Sequence, residues 1–206
     1  MIIPLFSHPV WKKRLNLDEK VKSTLLTQIE SNYLKFPDYV HPKWNCNVHT
    51  SCYEHNQIDY TEIRNDFVRE YNEFSTHHEL KLHSYKLDGP WYNYYTRGSN
   101  QEVHTHCNES VIYSGVYFLK LNDDHPKLTF YNPSSSFLYY ESQRSILELY
   151  DTKNVHHTNT LLTFDLDVKE DDFILFPAYL SHGVYIQNTD EPRITISFNI
   201  VIDKQR

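Results

Sequence analysis

The sequence lacks the features that define several common classes of protein. No apolar run approaches the roughly 20 residues that a transmembrane helix needs. The apolar run within residues 1–16 is too short for a signal peptide. The basic residues of this segment also follow the apolar run, whereas in a signal peptide they precede it. Basic residues are not in excess, because 20 Lys and Arg against 27 Asp and Glu give a net charge of −7. This charge does not favour nucleic acid or an acidic membrane surface as a partner.

Cysteine and glycine are also scarce. The three cysteines, Cys46, Cys52 and Cys107, form an odd set without a CxxC motif, so we expect free thiols and a reducing, cytoplasmic location. Only 4 glycines accompany 17 tyrosines and 11 phenylalanines, a composition that favours strands and half-buried surfaces. No repeat, low-complexity block or long linker is visible, and 206 residues are enough for a domain with a core.

The apolar pattern changes from helical to strand-like part of the way along the chain. Helical spacing predicts helices over residues 15–36 and 60–75, and short β-rich runs separated by turn residues follow. We therefore predict one domain, 1–206, with a helical part at about 1–79 and a β core at about 80–206. A mainly β jelly-roll barrel backed by helices fits this order, and a β-sandwich without a site fits the strand pattern equally well.

Three histidines and one arginine form the candidate site. His104 and His106 are two residues apart, so on a strand their side chains share one face. His182 lies at a strand end after an apolar run, and Arg193 opens the last strand. Each alone has an ordinary explanation: a chance pair among 13 histidines, a strand-end cap, an exposed charge. Together, three imidazoles leave one side of a metal ion open, a geometry typical of non-haem iron oxygenases, and a bidentate arginine suits a dicarboxylate.

The motifs around these residues resemble those of a known family. In order along residues 91–199 the chain contains W-x-N, G-x-N, H-x-H, S-G-V-Y-F, D-x-x-L-F-P, L-x-H-x-V and R-I-T-x-S-F-N. As a set they resemble the 2-oxoglutarate/Fe(II)-dependent oxygenases. The resemblance covers about residues 90–200 and implies a double-stranded β-helix, or cupin-like jelly roll. It also implies Fe(II) and 2-oxoglutarate as cofactors, O2 as co-substrate, and a dioxygenase that hydroxylates an unknown primary substrate.

The resemblance also implies roles for single residues. His104, His106 and His182 would bind the iron, and Arg193 would bind the distal carboxylate of 2-oxoglutarate. Thr195 shares a strand face with Arg193, so its hydroxyl can join the guanidinium.

Tyr117 and Asn93 are two further candidates for cofactor binding. The Tyr117 phenol could donate to the same carboxylate, and Asn93 could hydrogen-bond the cofactor or a ligating histidine. Cross-strand packing and a turn hydrogen bond explain the two residues equally well.

Two positions depart from the family pattern. His106 stands where the wider superfamily usually has a carboxylate, which gives the iron site a higher net charge and favours anionic 2-oxoglutarate. The departure leaves open a three-histidine, cupin-type dioxygenase without 2-oxoglutarate, and a site from which His106 swings away. A non-catalytic jelly-roll binding module is a further alternative. Asp171-Asp172 replaces the usual Gly-Asp at a turn, where aspartate is tolerated.

Two expectations concern partners. The polar and aromatic loop at about 133–160 is expected to line the mouth of the barrel and to contact the primary substrate. Exposed sheet edges make a homodimer a further expectation.

Overall fold

This computed structural model describes residues 8–51, 58–80, 84–108, 110–133 and 163–203. The described part of the chain contains two helices and ten strands. The helices are α1 (Glu19–Lys35) and α2 (Thr61–His77). The strands are β1 (Trp11–Arg14), β2 (His49–Thr50), β3 (Tyr85–Tyr95), β4 (Gln101–His104), β5 (Val111–Lys120), β6 (Leu128–Tyr131), β7 (Thr163–Asp165), β8 (Asp172–Pro177), β9 (His182–Val184) and β10 (Arg193–Ile202).

An aspartate precedes each helix, and both helices lie close to their predicted positions. The Asp18 carboxylate caps α1 by accepting from the Lys20 backbone N–H at 2.9 Å, which satisfies a donor that the first turn leaves free. Asp59 accepts from the Thr61 backbone N–H at 3.0 Å just before α2. Neither of these helices is long and apolar enough to cross a lipid bilayer.

The strands form two antiparallel sheets that face each other. The major sheet has six strands in the order β1-β8-β5-β10-β3-β2, and the minor sheet has four in the order β4-β9-β6-β7. Neighbouring strands in these sheets are distant in sequence, as in a jelly roll. The predicted double-stranded β-helix is therefore confirmed.

The front part of the chain is less purely helical than its sequence indicated. Strand β1 pairs with β8, placing Trp11 opposite Leu175, and β2 pairs with β3, placing His49 opposite Tyr94. Both strands therefore belong to the major sheet, on its two edges. They contain four and two residues, too few for an alternating pattern to be distinguished from a loop.

Alternation along the major sheet separates two packed layers. On β8, Phe173 and Leu175 belong to the cluster packed against both helices, whereas Ile174 and Phe176 belong to the cluster between the two sheets. The same alternation on β10 sends Ile194 toward the helices and its polar neighbours into the barrel. The helices thus cover one face of the major sheet, and the site occupies the other.

One predicted segment falls outside the described residues. The loop expected to line the mouth, about 133–160, lies almost wholly within residues 134–162, which the structure does not describe. Its contact with a substrate stays a prediction.

Candidate metal and cofactor site

The three predicted histidines converge at one end of the barrel. One nitrogen from each of His104, His106 and His182 lies within 4.8 Å of the other two, a spacing that small side-chain rotations reduce to that of one coordination shell. The ring centroids are 4.3 Å apart for His104 and His182, and 5.2 Å apart for His106 and His182. Among the described residues this is the one group of His, Cys, Asp or Glu side chains with the spacing of a metal site.

Backbone carbonyls fix two of the imidazoles. His104 Nδ1 lies 2.8 Å from the Glu102 carbonyl oxygen, and His182 Nδ1 lies 2.9 Å from that of Leu180. Because a carbonyl only accepts, Nδ1 must carry the proton in both rings. The lone pair of each ring is then on Nε2, which is the atom available to a metal.

His106 is held differently, because β4 ends at His104. It lies in the irregular segment beyond the strand, where its backbone N–H donates to the Ala178 carbonyl at 2.9 Å. Its ring still lies 5.0 Å from the His104 ring and 6.2 Å from Trp91. His182 was expected at the end of the apolar strand that precedes it. In the structure that strand, β8, ends at Pro177, and His182 is the first residue of β9.

Burial lowers the pKa of the His106 and His182 imidazoles, which favours their neutral form. Desolvation, and then the neighbouring His104, lowers the pKa of His106 to about 3. The same causes, with His106 added, lower the pKa of His182 well below its usual value. Neutral imidazole is the form that binds a metal ion.

A glycine lets the two metal-side strands approach each other. Gly183 follows His182 on β9, and a Cβ at this position would lie 3.1 Å from the Gln101 carbonyl oxygen and 3.3 Å from that of Glu102. Such contacts are tighter than a side chain ordinarily makes, so a larger residue would require β9 and β4 to separate by a few tenths of an ångström.

Arg193 is buried at the other end of the same cavity. Its side chain is 1% exposed, and its Nε and Nη1 atoms have no hydrogen-bond partner within the described ranges. The guanidinium carbon lies 4.6 Å from the Tyr95 ring centroid and 5.6 Å from that of Phe118. Burial lowers the pKa of Arg193, an effect that Tyr95 partly opposes. A buried guanidinium with free N–H groups is unusual, because such groups are normally paired.

Polar side chains line the wall between Arg193 and the histidines. Thr195 and Ser197 follow Arg193 at every second position of β10, and Asn93 lies opposite Thr195 on β3. Asn93 Nδ2 donates to Ser197 Oγ at 3.1 Å. Its Oδ1 is buried without a partner among the described residues. The cavity thus carries unmatched polar atoms along its length.

Tyr117 does not belong to this cavity. Its hydroxyl donates to Asp171 Oδ1 at 2.8 Å, and its ring packs in the helix-facing cluster, 6.4 Å from Phe67. The residue before it, Val116, and the one after it, Phe118, face the barrel instead. The predicted contact with the cofactor carboxylate is therefore wrong, because successive strand residues point to opposite faces.

Two cavity residues were missed in the sequence. Tyr95 lies on β3 two positions after Asn93, and Gln101 lies on β4 three positions before His104. The Tyr95 hydroxyl donates to Gln101 Oε1 at 2.7 Å, and burial raises the pKa of Tyr95 to about 12. Because alternate residues of a strand share one face, the position of Asn93 on β3 would have predicted that Tyr95 also faces the cavity. Nothing in the sequence indicates that β3 and β4 bring these two side chains together.

A wider cleft of about 690 Å³ opens outside the histidines. It is lined by Trp44, Asp88, Trp91, Gln101, Glu102 and the residues from His104 to Asn108. This volume is in the range of small-molecule and side-chain binding sites.

The comparison with known families identifies the class of protein. The family model described as "Putative 2OG-Fe(II) oxygenase" matches residues 89–199, more than half of the chain. The chain belongs to this family of 2-oxoglutarate- and Fe(II)-dependent oxygenases. Fe(II) and 2-oxoglutarate are its cofactors, and O2 is the second co-substrate. Among curated proteins, no sequence matches this one.

Solved structures share the fold at low identity. A prolyl-4-hydroxylase from Pseudomonas putida has a TM-score of 0.63 at 8% identity, covering 96% of this chain and 94% of that one. The viral collagen prolyl hydroxylase of Paramecium Bursaria Chlorella virus-1, solved with 2-oxoglutarate, has a TM-score of 0.57 at 12% identity, covering 94% and 96%. HygX from Streptomyces hygroscopicus, solved with nickel and 2-oxoglutarate, has a TM-score of 0.59 at 12% identity, covering 95% and 83%.

Proposed function

We propose that this oxygenase binds Fe(II) through His104, His106 and His182. Arg193 and Thr195 then hold the distal carboxylate of 2-oxoglutarate, with Asn93 beside the cofactor chain. The residues fit both groups. Three neutral imidazoles suit a borderline divalent metal, and the free N–H groups of Arg193 suit a carboxylate.

One observation carries the proposal: the Arg193 guanidinium, with two nitrogens that lack a partner among the described residues, and three converging imidazoles line the same cavity. A buried cation without a counter-ion is costly unless a ligand supplies one. A dicarboxylic 2-oxo acid can pair one carboxylate with Arg193 and present its other end to the metal. In a three-histidine dioxygenase without 2-oxoglutarate, Arg193 would instead bind a carboxylate of the primary substrate. A non-catalytic module would need neither the histidines nor the arginine.

The charge balance of the site follows from its ligand set. Three neutral ligands would add no charge, so Fe(II) would keep its full +2; its sum with the +1 of Arg193 is +3, which the 2-oxoglutarate dianion would reduce to +1. When bound, iron and 2-oxoglutarate supply oxidation of a substrate by O2, coupled to loss of CO2 and formation of succinate. The protein's own residues position the two groups and exclude water. Tyr95 and Phe118 cover the faces of the guanidinium, which leaves its edge for the carboxylate.

An anaerobic titration of Fe(II) and 2-oxoglutarate tests the proposal, followed through the weak visible charge-transfer band of the chelate. We expect the band only when both are present, and its loss in Arg193→Met at the same 2-oxoglutarate concentration. Iron binding without a band in the parent protein would contradict the role of 2-oxoglutarate.

The position of His106 has its own test. If this residue occupies the ligand position that a carboxylate holds in the wider superfamily, His106→Asp should still bind one metal ion per chain. His106→Ala should bind it weakly, because two ligands remain. Equal metal affinity in the alanine variant and the parent would remove His106 from the ligand set.

Three wider expectations complete the proposal. We propose that residues 1–206 act as one domain, supported by the pairing of β1 and β2 into the major sheet. A cytoplasmic location and a homodimer stay predictions from the sequence. The cleft outside the histidines is where we place the primary substrate.

A further inference from the structure

Gln101 lies where the cofactor cavity meets the outer cleft. Its side chain lines both spaces. It belongs to β4, with Val184 of β9 as its cross-strand partner. His104 is three residues further along the same strand, so about 10 Å of extended chain separates Gln101 from the metal side of the cavity.

The Tyr95 hydroxyl fixes which way the Gln101 amide points. A protonated phenol has a single hydrogen to donate, and Tyr95 gives it to Gln101 Oε1 at 2.7 Å. The amide oxygen is thereby occupied. Gln101 Nε2 makes no hydrogen bond within the described residues and is not among their buried unpartnered atoms. Its two N–H groups therefore have no partner among these residues and keep some exposure, in a side chain that lines both the cavity and the cleft.

The same tyrosine also contacts the proposed carboxylate-binding residue. The Arg193 guanidinium carbon lies 4.6 Å from the Tyr95 ring centroid. One fully buried side chain thus touches Arg193 with its ring and Gln101 with its hydroxyl. Both residues line one cavity and carry donors without a partner among the described residues: Nε and Nη1 of Arg193, and Nε2 of Gln101. Donors from two side chains on the two sides of Tyr95 suit an anionic oxygen.

We propose that Gln101 is a specificity-determining residue whose amide N–H donates to the distal carboxylate of the 2-oxo acid, with Tyr95 as the positioning residue that orients it. The proposal rests on the proposed function, in which Arg193 binds the same carboxylate. Thr195 and Gln101 then approach that carboxylate from opposite walls of the barrel, one from β10 and one from β4.

A matched pair of ligands measures this contact directly. 2-Oxopentanoate has the carbon chain of 2-oxoglutarate with a methyl group in place of the distal carboxylate. Calorimetric titration of both ligands into Ni(II)-loaded protein reports binding without turnover. In the parent we expect 2-oxoglutarate to bind at least about a hundredfold more tightly, because the Arg193 ion pair is lost with the other ligand.

Three variants separate the donor, its orientation and its charge. Gln101→Leu removes the donor, and we expect 2-oxoglutarate to bind about tenfold more weakly, the effect of one hydrogen bond to a charged group. Gln101→Glu keeps an acceptor for Tyr95 but places an anion beside the carboxylate, so we expect a loss of about a hundredfold. Tyr95→Phe keeps the ring over Arg193 and frees the amide to rotate, so we expect a loss of about three- to tenfold. Affinity for 2-oxopentanoate should change less than about twofold in all three.

Controls separate this inference from the proposed function. Val103 on the same strand is 52% exposed, so Val103→Ala should bind both ligands like the parent. Melting temperature and nickel stoichiometry show that each variant is folded with its histidines in place, and the other variants decide if one does not fold. Unchanged 2-oxoglutarate affinity in Gln101→Glu, or equal losses for both ligands, would overturn the role of Gln101. A parent protein that does not distinguish the two ligands would instead overturn the carboxylate site itself.

Discussion

Replacing Arg193 with methionine should have opposite effects on the free and the ligand-bound protein. The side chain is 1% exposed, and two of its nitrogens have no partner among the described residues. Methionine has a similar length, fits irregular spaces and carries no charge. The free protein should therefore gain stability, whereas the protein saturated with 2-oxoglutarate should lose it.

The expected gain follows from the contacts of Arg193. Two buried donors without partners cost about 1–3 kcal/mol each. The ring faces of Tyr95 and Phe118, at 4.6 and 5.6 Å from the guanidinium carbon, offset about 0.5–2 kcal/mol each. The free energy of unfolding of the ligand-free protein should therefore rise by about 1–2 kcal/mol in Arg193→Met. This value agrees with other cases in which apolar residues replace buried charges. In a chain of this size it corresponds to a rise of about 2–8 °C in melting temperature.

Thermal unfolding of Ni(II)-loaded protein with and without 2-oxoglutarate measures both effects. At a concentration of about 100 times its Kd, a ligand stabilises the parent by about 2.7 kcal/mol, and Arg193→Met should lose nearly all of this. Arg97 provides the control, because its exposed guanidinium already pairs with Asp190 at 2.6 Å, so Arg97→Met should change neither value by more than about 1 °C. A clear drop in the melting temperature of free Arg193→Met would refute the reasoning and make Arg193 a fold residue.

Other substitutions test the metal side and the frame of the barrel. His182→Ala should weaken Fe(II) or Ni(II) binding at least about a hundredfold by calorimetry, since two ligands remain; retained stoichiometric metal would exclude His182. Gly183→Ala should weaken metal binding about tenfold by pushing β9 from β4, where a Cβ would lie 3.1 Å from a backbone oxygen; unchanged affinity would show that the strands can yield. Burial raises the pKa of Asp171, but hydrogen bonds from Lys22 and Tyr117 outweigh it and lower the pKa. The stability that Asp171 contributes is therefore present at neutral pH and lost as the pH falls below about 4. Urea unfolding at pH 7 and pH 3 should show that Asp171→Asn removes part of this pH dependence, and an identical dependence in the variant would contradict it.

The departure at Asp171 has a structural consequence that the sequence did not reveal. This residue has a φ of 71°, the left-handed conformation in which glycine is usual and aspartate is tolerated. Its carboxylate accepts from Lys22 on α1 at 2.7 Å and from Tyr117 on β5 at 2.8 Å. An aspartate at this turn thus ties the first helix to the major sheet, which glycine could not do.

Local patterns were enough to predict the parts of the site that lie on regular strands. The sequence predicted that Arg193 and Thr195 share one face of the last strand, because alternate strand residues point the same way. In the structure both side chains line the cavity. The same rule, applied from Val116 or Phe118, would have excluded Tyr117. The short edge strands β1 and β2 were not predicted, because pairing partners far away in sequence stabilise them and their own pattern does not.

By itself, the sequence determined the two helices, the change to a strand-rich back part, the family and the identity of the polar residues available to a site. These depend on local periodicity and on motif order, which a single chain displays directly. Only the tertiary structure decided which of those residues meet. It brought His106, beyond the end of its strand, beside His182, it turned Tyr117 toward the helices, and it joined Tyr95 to Gln101. Contacts between strands depend on register, close approach and burial, and these arise only when both sheets pack around one cavity.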